Sequence, residues 1–385
     1  MKINLVTPSL SANNFSGGIY CILKYADGLA RKGHDVTVTP GVNSVMPQWI
    51  SCDASFLLRE KNRLKLSSIR EFKHSILNMI EVASFNYRSE QMKTAITNDY
   101  LARIMPTDSE ITIATAWNTV QPVIKYGSGK KVYFMQHFET VFFDEECYEK
   151  KMCEMTYQLP ITKIANSQWL YDTVNEYVCS HCTTTDIFKC LNAVDHKVFR
   201  TMRYANDTGS IKVISYGGRG VAWKGFLEMA RAMALTRSRL SDRTIEWLVF
   251  GDAILPPDNP IAPYIPLGFL KPEALCQAYN KADILLSASW YESFPLFPVE
   301  AMACGLAVIT TQAGTEDYAF HAETAHIVES RNVESIADGL CKLIVDIDYR
   351  NNLASNGEVM AARFTWESSV DTMEKILTEI ATRDC

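Results

Sequence analysis

The sequence predicts an α/β protein of two domains, each a parallel sheet with helices on both faces. Three observations lead there. Short apolar, β-rich runs alternate with helical patterns along most of the chain, and such alternation builds parallel sheets. The chain has 385 residues, more than one hydrophobic core usually serves. The alternation pauses once, at "LNAVDHKVFRTMRYANDTGS", then restarts.

The elements follow in order. "KINLVTP" reads as a strand, and "GGIYCILKYADGLARKGH" as a helix stopped by Gly33. "DVTVTP", "EITIATAW", "KKVYFMQ", "TKIANS" and "TDIFKCL" continue as strands with helical stretches between many of them. After the pause come "IKVISYGG", "EWLVFGD", "DILLSAS" and "LAVITT". "PVEAMACG" starts a helix with Pro298 and Glu300 in its first turn and Gly305 at its end. "TWESSVDTMEKILTEIA" is the last helix. The linker is expected near 195–210, with domains at 1–200 and 201–365 and the terminal helix at 366–385.

Composition narrows the function. Hydrophobic residues make up 47% and charged residues 21%, as in ordinary globular proteins. The net charge of −6 excludes a global basic field for nucleic acid. An anionic ligand must then be met by local cations and backbone donors. "MKINLVTP" followed by "SLSANN" is not a signal peptide, and no apolar run approaches a membrane span. Eleven scattered cysteines fit reduced thiols, so a cytoplasmic location is expected. The "CSHC" cluster at Cys179–Cys182, with Cys190 beyond it, lacks a second spaced ligand pair for zinc.

Four stretches carry chemistry. In "SANNFSGGIY", Gly17 and Gly18 open a helix whose N–H groups suit an anion; the bland reading is a plain strand–helix turn. In "YGGRGVAWKG", Arg219 and Lys224 flank a glycine-rich turn and suit a pyrophosphate, or are ordinary surface cations. In "WYESFPLFPVEAMACG", Glu292 follows a strand and Glu300 lies in the next helix, placed to accept from a diol or merely to cap. In "YFMQHFETVFFD", His137 directly follows a strand, where a lone histidine is often structural.

These stretches resemble a retaining glycosyltransferase of the GT-B fold, glycosyltransferase family 4. The resemblance runs over nearly the whole chain. It is densest from "YGGRGVAWKG" through "VFGD" and "DILLSASWYESFPLFPVEAMACG" to "AGTED". The spacing from Glu292 to Glu300 is its most specific element. "SGGIY", "QHFE", "NAVDHKVF" and "FTWESS" match the family's order elsewhere. The resemblance implies two Rossmann-like domains with parallel sheets facing a central cleft, and a last helix that crosses back to the first domain.

It also implies roles. Glu300 would bind ribose hydroxyls, and Arg219 and Lys224 a diphosphate, with Gly17 and Gly18 adding backbone donors. Glu292 would hold the donor sugar, His137 would contact it near its anomeric carbon, and Ser293, Phe294, Pro295, Leu296, Phe297 and Phe269 would complete the nucleotide-sugar site. Glu292, His137, Arg219 and Lys224 form the expected catalytic set. The loop departs from the family's glutamate-glycine-phenylalanine-glycine: Pro295 has no N–H to offer.

The reaction implied is metal-independent hexosyl transfer with retention, in polysaccharide biosynthesis. The donor would be a UDP-sugar, with UDP-glucose first, and the acceptor a glycan or lipid-linked saccharide. No cofactor is expected. "DID" at Asp346–Asp348 lies away from the other motifs and is not read as a metal site. Alternatives are a non-catalytic nucleotide-sugar-binding partner subunit, a rhamnosyl or mannosyl transferase using a dTDP or GDP donor, an epimerase, or a phosphorylase needing pyridoxal phosphate. Finally, "FLLREKNRLKLSSIREFKHSI" (56–76) interleaves six cations with apolar residues. It reads as a solvated segment packed on its domain, or as a contact with anionic lipid at the inner face of the membrane.

Overall fold

A parallel sheet wound outward in both directions from its first strand occurs twice in this chain. The computed structural model describes residues 1–13, 15–58, 89–181, 185–202, 209–253 and 255–383, apart from the Arg219 side chain. Most of the 56–76 stretch and Cys182 lie outside the described residues.

Unit 1 comprises Met1–Asn166, Leu170–Leu191 and Glu367–Cys385. Its strands are β1 (Lys2–Thr7), β2 (Asp35–Pro40), β3 (Ser55–Phe56), β4 (Ile111–Ala114), β5 (Lys130–Met135), β6 (Thr162–Ala165) and β7 (Ile187–Lys189). They form one sheet in the order β3-β2-β1-β4-β5-β6-β7, parallel throughout. The helices are α1 (Gly17–Arg31), α2 (Glu90–Ile104), α3 (Trp117–Tyr126), α4 (Tyr148–Gln158) and α5 (Gln168–Ser180). From Ile3 to Thr7, β1 is buried on both faces, which is why its apolar run hardly alternates. α1 buries Ile22, Tyr25, Ala26 and Leu29 at helical spacing. It stops before Gly33, whose φ of +90° favours glycine.

Unit 2 comprises Ser167–Trp169 and Asn192–Trp366. Its strands are β8 (Ile211–Arg219), β9 (Ile245–Asp252), β10 (Ile265–Gly268), β11 (Ile284–Ser287), β12 (Ala307–Thr310) and β13 (His326–Ile327). Their order is β10-β9-β8-β11-β12-β13, again parallel. α6 (Phe226–Arg239), α7 (Pro272–Tyr279), α8 (Leu296–Ala303), α9 (Val333–Val345) and α10 (Ile347–Ala361) accompany it. Trp247 centres the core: it stacks on Phe226 at 5.3 Å, meets Tyr264 edge-on at 5.6 Å, and donates to Ser215 Oγ at 3.0 Å.

The chain passes into unit 2 at Asn192, and Val194 bridges Thr365 there. The terminal helix α11 (Trp366–Thr382) then packs in unit 1 from Glu367 onward. At Gly28 of α1 an added Cβ would stand 2.4 Å from Val370 Cγ2, so glycine admits the helix. Lys32 pairs with Asp371 at 2.8 Å and with Glu374 at 2.6 Å.

In each sheet the strand order reverses at one place, between β1 and β4 and between β8 and β11. Open α/β sheets bind ligands beyond the strand ends at such points. Among the described residues, no helix is long and apolar enough to cross a membrane.

Candidate functional site

The loops leaving β8 and β11 meet at the unit 2 switch point. β8 slips its register against β9 between Tyr216 and Arg219, then turns through Gly220 into a short 3-10 turn, Ala222–Lys224. Gly225 follows at φ +70°, and an added Cβ would stand 2.1 Å from the Ala288 carbonyl oxygen. Only glycine lets the two loops approach so closely. The Trp290 N–H donates to the Trp223 carbonyl at 2.7 Å, and the Trp223 and Tyr291 rings stack at 5.9 Å.

This lacing sets Lys224 against Glu292, and their side chains form an ion pair. Glu292 is 15% exposed and Lys224 24%, so both charges are largely out of water. A third loop supports them: Thr311 Oγ1 donates to the Ser289 carbonyl at 2.7 Å, and a Cβ at Gly314 would stand 2.4 Å from the Glu292 carbonyl oxygen. Arg219 ends β8, with its backbone opposite Asp252.

The helix after this loop starts earlier than expected. α8 begins at Leu296, with Pro295 as its N-cap, so Glu300 is the fifth residue and lies beyond the first turn. Pro298 can sit inside the first turn because the N–H it lacks would have no intrahelical partner there. Helix-dipole stabilisation of Glu300 is correspondingly weaker. The preceding residues are tied down: Ser293 Oγ lies 3.4 Å from Ser167 Oγ, the Phe294 ring packs on Tyr318 and Phe364, and Tyr318 donates to the Pro295 carbonyl at 2.7 Å. The amides of Leu296 and Phe297 are left as helix-end donors. Phe297 closes an aromatic cluster with Tyr216 at 4.8 Å and Phe250 at 5.0 Å. Phe269, just past β10, is 63% exposed.

Glu300 is buried, and its carboxylate accepts no hydrogen bond among the described residues. Burial, reinforced by Asp195, pushes its carboxyl up to about 8. The Tyr279 hydroxyl, whose pKa Glu300 helps to raise, is also buried without a partner among the described residues. Two buried polar groups without partners among the described residues, Glu300 in α8 and Tyr279 at the end of α7, suit a hydroxyl-bearing ligand.

In unit 1, Gly17 and Gly18 open α1 behind Ser16, whose side chain makes no capping bond. A Cβ at Gly18 would find only ordinary contacts with Gln136, the nearest atom at 3.6 Å, so packing does not require glycine there. His137 follows β5; its Nδ1 lies 3.2 Å from the Phe138 carbonyl and its ring 4.4 Å from that of Phe142.

Other features were not read from the sequence. Glu139 holds the N-terminus of α3. Glu316, after β12, is a carboxyl pushed up to about 6 by burial. The Arg331 guanidinium covers the Trp290 ring at 4.0 Å, beside a cavity of about 570 Å³ lined by Trp290, Gln312 and Glu329, within the range of small-molecule sites. Asp346 of "DID" caps α10, accepting from Tyr349 N at 2.9 Å. Among the described residues no cluster of three or more metal-ligating side chains occurs.

Residues 211–346, which carry Lys224, Glu292 and Glu300, match the family model described as glycosyl transferases group 1. The D-inositol 3-phosphate glycosyltransferase of Corynebacterium jeikeium is 34% identical over 110 residues, 28% of this chain and 26% of that protein. The O-antigen biosynthesis protein RfbC of Myxococcus xanthus is 26% identical over 269 residues, 69% of this chain and 20% of that protein. The matches thus span about a quarter or less of these relatives' lengths. Among solved structures, sucrose-phosphate synthase from Thermosynechococcus elongatus superposes with a TM-score of 0.72 at 15% identity, over 98% of this chain and 99% of that one. Anabaena HepE in complex with UDP and glucose gives 0.67 at 15%, with the same coverage. At these identities the likeness is one of fold, and the fold is GT-B. In sequence the chain resembles glycosyltransferases, and the family-model match lies in its second unit.

Proposed function

We propose that the protein is a retaining, metal-independent glycosyltransferase of the family 4 kind. It moves a hexosyl group from a UDP-sugar, UDP-glucose first, to a glycan or lipid-linked acceptor. One observation carries the reading: a buried, unpartnered Glu300 lies eight residues beyond Glu292, which Lys224 holds at the unit 2 switch point. The solved neighbour HepE binds UDP and glucose, and RfbC is named for O-antigen biosynthesis; both support the donor and product class.

In this reading Glu300 accepts from the ribose hydroxyls. Lys224 and Arg219 meet the diphosphate, helped by the amides of Leu296, Phe297, Gly17 and Gly18. Glu292 accepts from the sugar's hydroxyls, His137 contacts the sugar, and exposed Phe269 offers a ring to the base. As the anomeric C–O bond breaks, negative charge grows on the leaving diphosphate, where fixed cations and N–H donors stabilise it. The departing oxygen takes the acceptor hydroxyl's proton, and that hydroxyl attacks the same face.

The test is a thermal-shift panel of UDP, UDP-glucose, dTDP and GDP, followed by transfer of labelled glucose to saccharide acceptors. UDP should raise the melting temperature most, since a ligand of the folded state alone stabilises it. Failure of every nucleotide to do so refutes the reading. Membrane contact through 56–76 rests on sequence alone; failure to float with anionic vesicles at low salt removes it.

A further inference from the structure

Glu139 is a partly buried carboxylate that the proposed reaction leaves unused. Its Oε2 accepts the N–H of Trp117, the first residue of α3, at 2.8 Å. The same oxygen accepts the Tyr133 hydroxyl of β5 at 2.6 Å. Its own N–H donates to the Tyr157 hydroxyl of α4 at 2.9 Å, and that hydroxyl donates to the His137 carbonyl at 3.3 Å. The turn after β5 is therefore anchored to β5, α3 and α4 at once, and His137 lies within it.

These anchors depend on charge. A helix N-terminus favours an anion, and Glu139 brings one to α3 from another element. An ionised acceptor also makes the stronger hydrogen bonds. We propose that Glu139 is a positioning residue: its carboxylate, by holding Trp117 and Tyr133, fixes the turn that carries His137.

The titratable groups facing Glu139 are Tyr133 of β5 and Tyr157 and Cys153 of α4, with His137 two residues away; α3 contributes only the Trp117 backbone. Burial pushes Tyr133, Tyr157 and Cys153 well up, so they stay uncharged near neutral pH. Burial also lifts Glu139 to about 7 against its two donors. Glu139 thus changes charge near neutrality while these three do not. Protonation weakens both anchors, so the turn is held more firmly above that pH than below it.

The inference rests on the transferase reading only for what His137 does in catalysis. Histidine labelled with ¹⁵N reports the His137 ring directly, its signal assigned by loss in His137→Gln. Titrated across neutral pH, wild type should show a second inflection that follows Glu139. Glu139→Gln should lose it. Tyr157→Phe, which removes the hydroxyl between the Glu139 N–H and the His137 carbonyl, should displace the His137 signal and serves if Glu139→Gln fails to fold. A His137 titration identical in wild type and folded variants overturns the proposal. UDP-glucose turnover is measured alongside. An inflection without turnover refutes the transferase reading and leaves this one standing; turnover without an inflection does the reverse. Where turnover occurs, Glu139→Gln should lower kcat and flatten its pH profile, with KM for UDP-glucose unchanged.

Discussion

Lys224 and Glu292 neutralise each other across the loops that leave β8 and β11. Each has a separate task in the proposed reaction, Lys224 toward diphosphate and Glu292 toward sugar. The pair also closes the switch point around two largely buried charges. Removing one partner strands the other, which usually costs more than removing both.

Lys224→Ala should therefore lower stability by about 1–3 kcal/mol in urea unfolding. The double variant Lys224→Ala, Glu292→Gln should recover part of that loss. UDP affinity should fall by about 1–3 kcal/mol in both, while uridine binding barely changes. Equal losses for UDP and uridine would make Lys224 structural only.

Glu292→Gln separates sugar from nucleotide. It frees Lys224 from its partner, so UDP should bind as well as before or more tightly. Glucose transfer should fall sharply, because in the proposed reaction the lost charge is the one that faces the sugar. Wild-type transfer by Glu292→Gln would remove the residue from the reaction. Saturating EDTA should leave transfer intact; abolition with rescue by manganese would make a metal part of the mechanism.

Much of this architecture was legible because parallel strands buried on both faces read as largely apolar, β-branched runs, as in β1, β4 and β12. β10 was not: Ile265–Gly268 is four residues long, contains Pro266 and lies at a sheet edge, where proline is tolerated. The start of α8 was misplaced because Pro295 and Pro298 offer two plausible entries, and the choice falls to tertiary contacts such as Tyr318 on the Pro295 carbonyl. Lys224, Glu292 and Glu300 stood out in the sequence because they lie in the turn, loop and helix that follow strands, and Lys224 and Glu292 do meet as an ion pair. Glu139 escaped because its partners, Trp117, Tyr133 and Tyr157, lie on three different elements. No local pattern records such a convergence.

Gly225 tests how far the site depends on loop contact. Gly225→Ala places a Cβ 2.1 Å from the Ala288 carbonyl at φ +70°. Gly268→Ala at φ +65° meets nothing within 4 Å. The second change should cost only left-handed strain, about 1–2 kcal/mol. Gly225→Ala should cost clearly more and weaken UDP binding too, since Lys224 precedes it. Equal urea midpoints for the two variants would show that the loops are not in contact.

Glu300 makes the last prediction, through its proton. Burial raises its carboxyl from 4.5 to about 8. A raised folded value contributes stability that is fully present below the unfolded value and is lost as pH rises through the folded one. Wild-type stability relative to Glu300→Gln should therefore fall between pH 4.5 and about 8 and level off above. The slope is about 1.4 kcal/mol per pH unit at most. Ribose hydroxyls donating to the carboxylate favour the ion, so UDP binding at neutral pH should expel this proton to the buffer. Calorimetric binding enthalpies should then differ between phosphate and Tris in wild type by more than in Glu300→Gln. An identical buffer dependence in the two proteins would mean that Glu300 does not receive the ribose, and the nucleotide would have to be held elsewhere.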